Sequence, residues 1–203
     1  MLPTGYYAVP FLDRDGPIEI DVATLQTTGA LTEPGSLQPW TPPAPGLTVA
    51  VEWPTTDDVR VEILTDDGDP KLAAAIELVS PRNKDRPKAR EAFAVRCAEY
   101  LRRGCGVVVV DVVTTRRAEL HGDLLTALGV ESSDAVTGSL SAVSYRSVSQ
   151  DGAGQLFAWP MAVEIGRALP TLPLWLGADL VVALDLEASH TAACEGVQIR
   201  HAG

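Results

Sequence analysis

Histidine is scarce in this 203-residue chain, and the three present, His121, His190 and His201, lie far apart. No ligand spacing joins them, which argues against a zinc centre or a histidine-based catalytic triad. Cysteine is scarce as well: Cys97, Cys105 and Cys194 are odd in number and lack a metal-type spacing. Buried thiols in a reducing cytoplasm are the simplest reading. No run approaches the roughly 20 apolar residues that span a bilayer. Met1-Leu2-Pro3-Thr4-Gly5 has neither the basic nor the apolar region of a secretory signal. A Gly-rich phosphate loop and a dinucleotide fingerprint are also missing, so no organic cofactor is expected. The expectation is a cytoplasmic protein with no membrane partner.

What is present suits an ordinary globular domain, with 46% apolar and 21% charged residues. The length suffices for one well-buried core, and neither an internal repeat nor a domain linker is visible. The net charge of −11 opposes broad affinity for nucleic acid, because phosphate binding relies on cationic surface. That total is unevenly spread. Residues 82–117 hold ten of the 16 Lys and Arg against four acids, a local +6, which leaves −17 for the remainder. A solvated helix face explains such a cluster, and so does a surface that faces phosphate or neutralises a carboxylate.

Alternation and turn residues divide the chain into elements. Tyr6 to Leu12 and Ile18 to Leu25 read as a hairpin across Asp13-Arg14-Asp15-Gly16-Pro17. Thr27 to Gly46 is rich in Pro, Thr and Gly and reads as a surface excursion. Leu47 to Trp53 and Val59 to Leu64 read as an antiparallel pair. Lys71 to Ser80 then reads as a strand buried on both faces, because Ala73 to Ile76 and Leu78-Val79 are apolar on either side of Glu77. A helix should follow, with Asp85 as N-cap and Pro87 in its first turn. Phe93, Cys97, Tyr100 and Leu101 would form its core face, and Gly104 would end it. Gly106 to Val113 reads as a buried strand parallel to the first, closing a βαβ unit. Residues 118–128 are weakly helical. Ser141 to Ser149 and Leu156 to Ile165 form a second hairpin pattern. Leu169 to Leu176 reads as extended, and Asp185 to Glu195 as a short helix.

Glu77 is the residue that stands out, since a carboxylate inside an apolar strand needs a metal, a cation or hydrogen-bond donors. Asp111, in the second buried strand, is placed to meet cations of the intervening helix. Glu62 reads as an exposed alternation residue. Ser80 is better explained by capping than by nucleophilic catalysis, because no histidine accompanies it.

The segment Ala75-Ile76-Glu77-Leu78-Val79-Ser80-Pro81-Arg82-Asn83-Lys84 resembles the "IEVLSPSNK" core of a bacterial domain-of-unknown-function family. Leu2 to Ala8 is similar to that family's "LPPGYYA" entry, and Ile20 to Leu25 to its "PDVAVL" strand. Leu169 to Leu174 with Val182 to Leu186 is similar to its C-terminal "LPxIPLxxxDxDVxLDL". The family is related to the restriction-endonuclease-like, PD-(D/E)XK, superfamily. The resemblance implies an α/β (α+β) fold with a mixed central sheet flanked by helices and extra antiparallel hairpins. It also implies one domain over 1–203, with a core of about 5–113 and a C-terminal hairpin and tail at 139–203. The segment that the family places before "LPPGYYA", containing the superfamily's first helix, is not in this sequence. An uncovered sheet face and a homo-oligomer are therefore expected.

In active members of the superfamily an Asp and a Glu hold Mg²⁺ and a Lys orients or activates water. Carried over, Asp21 takes the Asp role and Glu77 the Glu role, as catalytic and metal-binding residues. Hard carboxylate oxygens suit Mg²⁺, which can polarise a phosphate and activate a bound water. Val79 stands where the lysine would fall, so the cation is expected from the helical side, as Arg96, Lys84 or Lys88. Arg96 cannot deprotonate and would stabilise charge without acting as a base. Two readings follow. One is a Mg²⁺-dependent phosphodiesterase acting on nucleic acid; the other is a catalytically inactive nuclease-fold protein serving as an oligomeric scaffold or interaction module.

Overall fold

In a computed structural model, residues 2–8, 41–51, 65, 71–130, 140–150 and 153–196 are described. Within them the chain is mixed α/β, with a five-stranded mixed sheet, a two-stranded sheet and three helices. The strands are β1 (Leu47–Val51), β2 (Ala74–Leu78), β3 (Gly106–Asp111), β4 (Ser141–Gln150), β5 (Ala153–Ala162), β6 (Thr171–Trp175) and β7 (Val181–Asp185). The helices are α1 (Pro87–Arg102), α2 (Leu120–Ala127) and α3 (Leu186–Gly196), and a single 3₁₀ turn occupies Pro81–Lys84.

The larger sheet runs β1-β5-β4-β3-β2, and β6 pairs with β7. β2 and β3 are parallel, Glu77 standing opposite Val109, and the helix between them is α1. This is the expected strand–helix–strand unit, produced by two apolar strands joined by a 16-residue amphipathic helix. The other pairings are antiparallel, including the long β4–β5 hairpin. The end of α1 is set by Gly104, whose φ of +78° suits glycine best. Gly104 N–H then donates to Leu101 O and Cys105 N–H to Tyr100 O, the paired bonds of a Schellman ending. Gly106 is required for a different reason: a Cβ there would lie 2.1 Å from the Trp175 carbonyl oxygen of β6.

The period of two along the strands divides the core into two layers. On one face Ala75, Val79, Val107, Val109, Val143 and Tyr145 pack beneath Phe93, Cys97 and Leu101 of α1 and Leu120, Leu124 and Leu128 of α2. On the other, Ala74, Val108, Val110 and Ala142 meet Leu172, Leu174, Leu184 and Leu186 from the β6–β7–α3 unit. β3, flanked by strands and covered on both sides, is buried along its whole length.

Two expectations need correction. The strand expected over Lys71 to Ser80 is shorter, and it is not buried on both faces. β2 is an edge among the described strands, and Ile76 and Leu78 look into an open cleft, with Leu78 40% exposed. Asp85 does not cap α1. Arg86 holds the N-cap position without a side-chain bond, with Pro87 following it, while Arg116 takes the Asp85 carboxylate at 2.9 Å. β1 pairs with β5, and the strand expected over Val59 to Leu64 lies outside the described residues. So does the hairpin expected over Tyr6 to Leu12 and Ile18 to Leu25, except for Tyr6 to Ala8, where Tyr6 forms an isolated antiparallel bridge with Thr65. Among the described residues no helix is long and apolar enough to cross a membrane.

Candidate functional site

The segment Ser80-Pro81-Arg82-Asn83-Lys84 leaves β2 and turns at once into the 3₁₀ turn, and each residue has a local reason to be there. Ser80 adopts extended backbone and caps the turn: Asn83 N–H donates to Ser80 Oγ at 3.4 Å, and Ser80 N–H donates to Asn83 Oδ1 at 2.8 Å. This reciprocal arrangement is a capping box. Pro81 occupies the first position, where no backbone donor is needed. The turn thereby aims Lys84 back under the helix. Its ammonium, completely buried, donates to Asp111 Oδ2 at 2.7 Å. Asp111 Oδ1 accepts from Val113 N–H at 3.2 Å, so both carboxylate oxygens are engaged.

Glu77 lies on the same face. Its alternation with Ala75 and Val79 points it at α1, where Arg96 meets it in a two-pronged pair. Nε donates to Oε1 at 3.2 Å and Nη2 to Oε2 at 3.0 Å. The two side chains are only 1% and 2% exposed. The fork of Arg matches a carboxylate in this way, with more directional fit than an ammonium offers. Arg96 also rests against the Phe93 ring, 5.2 Å from its centroid. Because Glu77 stands opposite Val109, Asp111 lies two residues, about 6.6 Å, farther along the parallel pair. Two buried ion pairs thus sit in succession beneath α1.

Burial shapes the groups around them. Desolvation, reinforced by the Glu77 charge, pushes the Cys97 thiol and the Tyr100 hydroxyl well above their ordinary pKa ranges. Cys97 is therefore a neutral, unreactive thiol, as is Cys105, whose pKa burial pushes up to about 11. The Tyr100 hydroxyl is buried without a hydrogen-bond partner among the described residues. Tyr145 of β4 makes a 2.6 Å hydrogen bond to His121 Nδ1 at the start of α2, with the rings stacked at 5.6 Å. Burial holds the His121 pKa below the usual imidazole value, against the opposing pull of Glu119.

The structure thus brings together Glu77 with Arg96 and Lys84 with Asp111. Asp21 lies outside the described residues, as does Glu62. Glu77 carries a guanidinium on both oxygens, and no group of three or more metal-ligating side chains occurs among the described residues. His190 meets only Cys194, at 3.6 Å on exposed α3. Sequence reasoning missed the reciprocal Asn83 cap, although Ser-x-x-Asn before a cation was its signal. It also missed the His121–Tyr145 pair, whose partners come 24 residues apart with nothing local to join them.

Comparison with family models, with curated proteins and with solved structures finds no match to this chain.

Proposed function

We propose that this chain is a restriction-endonuclease-like protein of the domain-of-unknown-function family that it resembles, acting without catalysis as an oligomeric scaffold or protein-interaction module. The observation that carries this reading is the Glu77–Arg96 pair. The carboxylate that an active member would use for Mg²⁺ is saturated by a buried guanidinium. An ion would have to displace Arg96 and leave its charge buried and unpaired, at a cost of several kcal/mol. The parallel β2–β3 pair joined by α1 supports the fold assignment. Exposed Leu78 and Val112, at the rim of an apolar cleft, support a second copy as partner.

The other reading, a Mg²⁺-dependent phosphodiesterase with Asp21 and Glu77 on the ion, draws on one observation. Glu77, Arg96, Lys84 and Asp111 all gather on one face, toward the carboxyl ends of two parallel strands. Titration calorimetry with Mg²⁺ and Mn²⁺ separates the two. The scaffold reading expects the same heats from wild type, Asp21→Ala and Glu77→Gln; micromolar-to-millimolar binding that both variants abolish would establish the enzyme.

A further inference from the structure

The cleft on the β6–β7 side of the sheet, about 350 Å³ in volume, takes no part in the buried ion pairs. Residues of β2, β3, β6, β7 and α3 line it, and α3 turns Leu186, Ser189, His190 and Ala193 toward it. That spacing of three and four commits one face of the helix to the cleft. No Asp, Glu, Lys or Arg occurs in the lining, whose polar side chains are Tyr6, Tyr7, Ser189 and His190. An anion would lose its water there without a Lys or Arg to meet it, and a cation without a carboxylate. A second copy does not fill the cleft either. Two-fold contact through the exposed rim residues Leu78 and Val112 brings the same patch of each copy together, so cleft faces cleft and both remain to be filled.

We infer that the cleft is a binding site for a neutral amphiphile with one aliphatic chain, its polar head at Ser189 and His190. His190 is exposed and Ser189 half-buried, which puts both at the mouth. Ser189 Oγ donates to Asp185 O at 2.7 Å and keeps its lone pairs for a hydroxyl on the head. The size suits one chain and not two. An apolar cavity of about 150 Å³ holds one benzene, so 350 Å³ takes on the order of fourteen carbons. The volume also falls at the small end of the range for small-molecule pockets, about 300–1,000 Å³. The inference goes beyond the scaffold reading and is independent of whether Glu77 ever holds an ion.

Titration calorimetry with hexanol, octanol and decanol tests it. Each added methylene should tighten binding about fourfold, so decanol should bind at least about a hundredfold more tightly than hexanol. Decanoate and decylammonium, which put a charged head on the same chain, should bind at least about tenfold more weakly than decanol. Leu78→Trp/Ala193→Trp adds bulk from two sides of the rim at exposed positions and should weaken decanol at least about tenfold. Ile165→Trp/Ala192→Trp makes a like addition at exposed positions outside the lining and should leave binding unchanged. Absence of saturable decanol binding would overturn the inference, and so would equal losses in the two double variants. Decanoate or decylammonium binding as tightly as decanol would overturn the neutral head. Decanol binding that weakens as protein concentration rises would give the cleft to a second copy instead. No arm involves a metal, so failure here leaves the calorimetric test of Glu77 untouched.

Discussion

The two faces of the central sheet differ in kind. The face under α1 and α2 carries the sealed Glu77–Arg96 and Lys84–Asp111 pairs, a buried His–Tyr pair and a buried tyrosine hydroxyl with no hydrogen-bond partner among the described residues. The face under β6, β7 and α3 is lined by Ala, Val and Leu, and it opens into an apolar cleft of about 350 Å³. Charge is where water is excluded, and access is where charge is lacking. A hydrolase needs both at one point. Among the described residues the sheet keeps them on opposite sides, and we propose on that ground a structural use of the charges and an associative use of the open face.

Breaking one partner of a sealed pair should give the largest effect. Glu77→Ala strands the Arg96 charge in the core and should cost about 3–5 kcal/mol in urea unfolding. An equal substitution on the open face, where no buried charge is left behind, should cost less at the same burial. Lys84→Met comes next. It leaves Asp111 without its cation, but Asp111 keeps the Val113 N–H, so a loss of about 2–4 kcal/mol is expected. Recovery of stability when Asp111→Asn is added to Lys84→Met would sharpen the assignment to charge.

The smallest effect concerns His121. Its folded pKa lies below the unfolded imidazole value of about 6.5. The stability linked to neutral His121 is therefore complete above that value and is lost as the pH falls through and below it. Protonation makes both ring nitrogens donors, so that the Tyr145 hydroxyl can only accept at Nδ1, and places a buried charge between α2 and β4. Protection of the α2 amides relative to their intrinsic exchange rates should fall from neutral pH toward pH 5, and His121→Phe should flatten that response. No matching change is expected in β6 and β7, on the face without a buried titratable group.

Much of this arrangement was legible along the chain, and the limits have physical causes. The run Gly106 to Val113 announced a buried strand because unbroken β-branched residues suit a central position. Glu77 stood out because a carboxylate among apolar neighbours demands a partner. Arg96 was nameable only through the resemblance, which moves the missing lysine's cation to the helix after the Glu77 strand. The exposure of Leu78 was not legible, since whether a strand is covered depends on elements far away in sequence. Nor was the cap of α1: Asp85 is a strong N-cap residue locally, yet Arg116 claims it from 31 positions away. Helical spacing likewise could not say which cations of residues 82–117 are spent on internal acids, because their partners sit on other elements.

The central claim is that Glu77 and Arg96 are bound to each other as a structural unit. A double-mutant cycle in urea unfolding tests it most directly, with Glu77→Leu, Arg96→Met and the two combined. The account predicts that each single variant is strongly destabilised and that the double variant regains most of the loss, a coupling of at least about 2 kcal/mol. Additive losses, or a Glu77→Leu protein as stable as wild type, would contradict it.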